Sequence, residues 1–347
     1  MKKTKIIALL ALSVLAVTAA YAKEKKSKQK KPQTVRIVTA NSLSQRESNT
    51  AAVAKELGLF EEELAKVGFV PEYFITKGGI ILNEGIYADE FDIGFIGDVP
   101  GFTGLYNEIG SVWIANSKTN ADGAIATRKD LILTKPEDLY GKTVALFIGT
   151  APHVTWGQYV KGNHLDESKI NVVNMNGADT LAALSNGKVD AAVSTATGIL
   201  SAVNRGDANL FFNSASRPEW GGQYPVIARK KFAQKNPEAT AAIIKALFRA
   251  QVEIAKNPER WYDAISGYML NGNTELGATL SNIDGGKFYN FLPEITDELY
   301  GKAQALVDLF VDLGRFKARK DVHTFADTSY YKLAVRELKK DGFAFAK

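Results

Sequence analysis

FDIGFIGDVPGFT (91–103) and TVALFIGTAPHVT (143–155) share the phrase F-I-G-x-x-P-x-x-T. Gly97 and Gly149, Pro100 and Pro152, and Thr103 and Thr155 fall in register. In each copy an apolar run of β character ends at glycine, and a proline soon afterwards opens a helix. Asp98 and Thr150 occupy the expected N-cap positions, where a side-chain oxygen can satisfy free helix N–H groups. Each proline falls in the first turn, where a missing N–H costs little. Glycine at such a junction lets a ligand approach the backbone, and the helix start offers free N–H groups and partial positive charge. In open α/β sheets, ligands gather at the carboxyl ends of the strands. One copy is ordinary connectivity for this class of fold. Two copies predict two helix N-termini facing each other across a cleft.

The surrounding text extends the pattern. TVRIVTA (34–40) reads as a strand and 49–68 as a helix broken at Gly58. FVPEYFIT (69–76) is a second strand, GIILNEGIYADE (79–90) a helix and FDIGFIG (91–97) a buried strand. A β-α-β-α-β series of this kind implies parallel pairing through crossover helices. VWIAN (112–116) and GAIAT (123–127) are shorter strand candidates. The series restarts with TVALFIG (143–149), a helix at 151–162, INVVNMN (170–176), a helix at 178–187 and VDAAVST (189–195). Each half closes on a helix, an aspartate (Asp92, Asp190) and a strand of small residues. From Pro237 onward the chain reads as helices, at 237–257, 261–270 and 297–314, with apolar residues at i, i+3 and i+4. The polar stretch SKTNADG (117–123) and the Pro/Gly-interrupted RPEWGGQYP (217–225) mark the expected crossings between lobes. One lobe is then 34–120 with 222–347, including the C-terminal helices, and the other is 121–221.

The 347 residues suffice for two lobes, each with a core. The net charge of +5 invites a nucleic-acid reading until it is located. Nine lysines and one acid lie in residues 1–31, which leaves 34 basic and 37 acidic side chains in 32–347. The body is nearly neutral, so no nucleic-acid partner is expected. MKKTK, the apolar run 6–20 and Ala20-Tyr21-Ala22 read as a secretory signal peptide cleaved after Ala22. The run falls short of the roughly 20 residues a membrane span needs. KEKKSKQKKPQ (23–33) has nothing apolar to bury and reads as a solvated, disordered leader. The chain holds no cysteine, which excludes disulfides and a lipid-modified cysteine. A soluble exported protein is expected, periplasmic in a cell with two membranes.

Catalytic and metal patterns are weak. His153, His164 and His323 have no ligand spacing, and no metal or other cofactor is expected. Ser185-Asn186-Gly187-Lys188 spells S-x-x-K, but Asn-Gly there is a helix stop. Gly141-Lys142-Thr143 lacks the glycine of a phosphate loop at position 136, which is Pro, and precedes a strand.

VAKELGLFEEELAKVG (53–68), DIGFIGDVP (92–100), GKTVALFIGTAPH (141–153), ADTLAALSNGKVDA (178–191) and KKFAQKNPEATAAIIKALFRA (230–250) follow the order and spacing of a known group. The chain resembles the nitrate/sulfonate/taurine-type periplasmic solute-binding proteins of ABC importers, over about residues 34–260. The resemblance implies an α/β, type II periplasmic binding protein fold, with two α/β lobes, a ligand cleft between them and extra C-terminal helices. It implies a non-enzymatic, monomeric receptor that closes on a small anion or zwitterion and delivers it to an ABC permease in the inner membrane. Carried across, the ligand contacts are Ser44, Gln45, Gly97 and Asp98 in the first lobe, and Thr150, Ala151, His153 and Ser194 or Thr195 in the second. Trp220 stands either at the cleft mouth or at the crossing. Asp98 is a departure: its charge disfavours a bare oxyanion such as nitrate and suits an ammonium, unless it only caps its helix. Two other readings use the same fold, an enzyme of thiamine-precursor biosynthesis and a periplasmic sensor. The enzyme group is associated with a cysteine-rich motif that this chain lacks.

Overall fold

The computed structural model describes residues 31–39, 50–121, 123–217, 220–256 and 292–345. The expected signal peptide, most of the basic leader, Ser44, Gln45 and the helix read at 261–270 lie outside the described residues.

The first half builds β1 (Gln33–Thr39), α1 (Thr50–Glu56), α2 (Leu59–Ala65), β2 (Phe69–Ile75), α3 (Gly79–Tyr87), β3 (Ile93–Phe95), α4 (Asp98–Tyr106) and β4 (Ser111–Ala121). The middle of the chain builds β5 (Gly123–Arg128), β6 (Thr143–Leu146), α5 (Ala151–Gly162), β7 (Asn171–Asn174), α6 (Gly177–Ser185), β8 (Ala191–Thr195), α7 (Ala196–Asn204) and β9 (Ala208–Asn213). β10 (Gly222–Arg229), α8 (Lys230–Lys235), α9 (Pro237–Lys256), α10 (Asp297–Asp312) and α11 (Ser329–Lys340) follow. The break between α1 and α2 falls at Gly58, whose φ of 68° is a left-handed conformation that glycine adopts freely.

Two five-stranded sheets result, with orders β2-β1-β3-β10-β4 and β7-β6-β8-β5-β9. The second repeats the first position by position. In each, three parallel strands are joined to an antiparallel fourth, β10 in one sheet and β5 in the other. The chain passes from the first sheet to the second between Ala121 and Gly123, and returns between Asn213 and Gly222.

The repeated aspartates explain part of the symmetry. Asp92 Oδ2 accepts from Arg36 N at 3.0 Å, tying the approach to β3 onto β1. Asp190 Oδ2 accepts from Thr143 N at 2.9 Å, tying the approach to β8 onto β6. The same device sets the register of the inner parallel pair in both sheets.

Side-chain alternation along the strands feeds two cores on each sheet. Val35, Ile37, Ile93, Ile114 and Val226 face α1, α2, α9 and α11. Val38, Trp113 and Ile227 face α3, α4 and α10. Trp113 is fully buried, meets Phe102 edge-on at 5.0 Å and donates its indole N–H to Ala115 O. Burying a side chain of this kind contributes about 1.5–3 kcal/mol. In the second sheet, Ala124, Ala126, Ala145 and Ala192 pack under α6 and α7. Ile125, Val144, Leu146 and Val193 pack with Trp156 and Tyr159 of α5.

The strand expected at 112–116 is longer, because β4 runs on through SKTNA to Ala121 with Thr119 opposite Gln223 and Ala121 opposite Gly222. Strand pairing with β10 overrides the local turn preference of these residues. β10 in turn includes Pro225, whose missing N–H falls at an irregularity in the ladder between Tyr224 and Pro225.

Candidate ligand-binding cleft

A cavity of about 180 Å³ lies between the two sheets. Gly97 and Asp98 at the start of α4 form one wall, with Gly222, Gln223 and Tyr224 at the start of β10. Opposite stand Ala151, Val154, Thr155, Gln158 and Lys161 of α5, with Thr195 ending β8. Gly123 and Trp220 come from the two crossings, and Lys302, Leu306 and Leu309 from α10. Both copies of the repeated phrase therefore deliver a helix N-terminus to one cavity.

The two ends differ in chemistry. Gly97, not Asp98, is the N-cap of α4, and Asp98 is the first helical residue. The capping role read from the sequence is thus corrected by one position. The strand-to-helix junction closes at Gly97, whose extended backbone (φ −65°, ψ 159°) lets Asp98 begin the helix. A β-carbon on Gly97 would meet nothing within 4 Å, so the cavity wall is backbone there. The Asp98 carboxylate accepts from Val99 N at 2.7 Å and also from the backbone N–H of Gln223 and its own. Burial pushes its carboxyl up to about 6, against the pull of those three donors.

Thr150 holds the N-cap position of α5, but its side chain does not cap. Its hydroxyl donates to Phe147 O at 2.6 Å, within its own turn. His153 stands behind the wall: its Nδ1 accepts from Gly149 N at 3.4 Å and its ring lies 6.4 Å from Phe310 of α10. Burial, with the Arg315 charge, holds that imidazole below its ordinary value. Ser194 is buried in β8 and does not line the cavity. Thr195 does, and its Oγ1 accepts from Gly198 N at the start of α7. Of the residues expected at the site, the structure brings Gly97, Asp98, Ala151, Thr195 and Trp220 together around the cavity.

Trp220 answers its own question, because it occupies both expected places. It lines the cavity, and its ring packs on Gly162 at the C-terminal end of α5. Thr155 is similarly set, with Gly123 of the other crossing so close that a β-carbon there would lie 2.2 Å from Thr155 Oγ1.

Sequence reasoning missed Thr155, Gln158 and Lys161, although they continue the helical face that starts at Ala151. It also missed Gln223 and α10. Lys302 is held by Glu298 at 3.1 Å, so α10 brings a paired rather than a bare charge to the wall. Among the described residues no group of three or more His, Asp or Glu is placed to hold a metal ion, and no helix is long and apolar enough to cross a membrane.

Two matching sheets joined by two crossings, with the cavity between them, define a two-lobed periplasmic binding protein fold. Comparison with solved structures shows the same fold. The periplasmic sulfonate-binding protein SsuA of Methylobacillus flagellatus KT superposes with a TM-score of 0.76 at 22% identity, over 91% of this chain and 98% of that one. The periplasmic aliphatic sulphonate binding protein SsuA of Escherichia coli gives 0.70 at 18% identity, over 86% and 92%. In sequence, residues 112–261 match the NMT1/THI5 like family. The taurine-binding periplasmic protein of Escherichia coli (strain K12) is 25% identical over 222 residues, 62% of this chain and 67% of the relative. The resemblance to nitrate/sulfonate/taurine-type solute-binding proteins holds, since the relatives are periplasmic proteins that bind taurine or sulfonates.

Proposed function

We propose that this chain is the exported solute-binding receptor of an ABC importer, and that it closes as a monomer on a small organic anion or zwitterion of the aliphatic sulfonate or taurine kind. The observation that carries this reading is the shared cavity at the N-termini of α4 and α5, walled by both crossings. In it the α5 N-terminus takes the solute's anionic group, since the helix dipole favours negative charge there. Gly97, Ala151, Thr195 and Trp220 shape the enclosure. An enclosure of about 180 Å³ suits a solute of a few heavy atoms rather than a peptide. The nature of the relatives supports export to the periplasm and an inner-membrane permease as partner.

A thermal-shift panel tests it, with taurine, alkanesulfonates, nitrate, bicarbonate and thiamine precursors as probes. Ligand binding at 100 times Kd adds about 2.7 kcal/mol of stability, enough to raise Tm by several degrees. A shift with taurine or an alkanesulfonate is the expected result. A shift with a thiamine precursor alone, or with nitrate alone, would overturn the solute class.

A further inference from the structure

The first-lobe wall of the cavity presents acceptors without a cation. Asp98 is 6% exposed, and its carboxylate is met only by backbone N–H groups; among the described residues no Lys, Arg or His is ion-paired with it. Beside it in the wall, Gln223 is 2% exposed. Its Nε2 donates to Leu299 O at 3.1 Å, which fixes the amide and leaves Oε1 buried with no hydrogen-bond partner among the described residues. A buried carboxylate without a counter-charge and a buried carbonyl oxygen without a donor are both costly. Both costs are relieved by the same group, a compact cation carrying several N–H donors.

The charges elsewhere around the cavity sharpen the point. Lys161 and Lys302 reach it from α5 and α10, and neither is ion-paired with Asp98. Lys161 adds positive charge to the α5 wall, opposite Asp98 and Gln223, whereas Lys302 is already held by Glu298 of its own helix.

We propose that the solute carries a primary ammonium group that donates to the Asp98 carboxylate and to Gln223 Oε1, so that the cleft selects a zwitterion over the matching plain anion. The inference rests on reading this cavity as the solute site. The second lobe then holds the anionic end and the first lobe the cationic end, and a single short molecule bridges the two. Burial that pushes the Asp98 carboxyl up to about 6 agrees with a group completed by its ligand.

Calorimetry with the full chain tests this using two pairs of probes, taurine against 1-propanesulfonate and β-alanine against butyrate. Within each pair the ammonium is replaced by a methyl group and the chain length is kept. The expected result is a preference of at least about tenfold for the ammonium member, as a lost charge-assisted hydrogen bond implies. In Asp98→Asn, which keeps an oxygen for Val99 N, that preference collapses to about threefold or less. Equal or tighter binding of the deaminated member to wild type overturns the inference and leaves the receptor reading standing. A preference for β-alanine over butyrate, with neither sulfonate bound, keeps the inference and removes the sulfonate class. No binding of any of the four removes both. The wild-type comparison decides the matter even if the variant fails to fold.

Discussion

The indole of Trp220 fills the space that a β-carbon on Gly162 would need: the nearest ring atom, Cζ2, would lie 2.3 Å away. A residue of the return crossing is thereby seated on the last turn of α5, with Phe212 at 5.7 Å behind the ring. Gly→Ala inside an unobstructed helix stabilises by about 1 kcal/mol. Here the contact reverses the sign, since overpacking against a rigid ring costs about 1–3 kcal/mol. Gly162→Ala is expected to lower Tm of the ligand-free protein, and an unchanged or raised Tm would show that Trp220 moves aside freely.

Asp92 accepts from the guanidinium groups of both Arg36 and Arg229, with Arg229 Nη2 at 2.6 Å from Oδ1. Burial alone would raise its pKa, but the hydrogen bonds from Arg36 and Arg229 outweigh that and hold the carboxyl below its usual range. The folded pKa is depressed, so its stabilisation is present above the unfolded value and is lost as pH falls through the folded one. Asp92→Asn should cost about 3–5 kcal/mol at neutral pH. Denaturant titrations of both proteins at pH 7 and pH 3 should show the gap narrowing in acid.

Asp98 has the opposite sign. Its folded pKa of about 6 lies above the unfolded value, so the folded state binds the proton more tightly and this group destabilises the ligand-free protein as pH rises through 6. The displacement is worth on the order of 3 kcal/mol. Relative to wild type, Asp98→Asn is expected to gain stability at pH 8 and gain little at pH 4.5. A difference independent of pH would mean that the carboxyl titrates normally.

The proposed closure about the crossings at 121–123 and 213–222 would leave a scattering signature. With a saturating ligand the radius of gyration should fall. The same radius with and without ligand would remove the clamshell from the mechanism.

Much of this architecture was legible because the chain writes it twice. F-I-G-x-x-P-x-x-T located both cleft-facing helix starts, and Asp92 and Asp190 marked the matching strands. Thr150 and His153 show where that reading stops. Position on a first turn does not fix side-chain direction, and their partners, Phe147 O and the α10 side chain of Phe310, settle it. Gln223 was invisible for another reason. Its importance lies in an amide pinned by Leu299, 76 positions away, and no local pattern announces such a contact. The same holds for α10, whose stripe of apolar residues fits any helix that covers a sheet.

The unequal threading of the two sheets bears on the order in which they assemble. All five strands of the second sheet come from 123–213 without interruption, whereas β10 of the first is supplied only after that stretch is complete. β10 sits between β3 and β4, so the first sheet stays split until residue 222 onward has arrived. Closing a long loop costs entropy before the pairing returns it, and contacts distant in sequence form slowly. On refolding from denaturant, amide protons of β6 and β8 should gain protection before those of β3 and β4, a sequence of events that pulse-labelled hydrogen exchange resolves strand by strand.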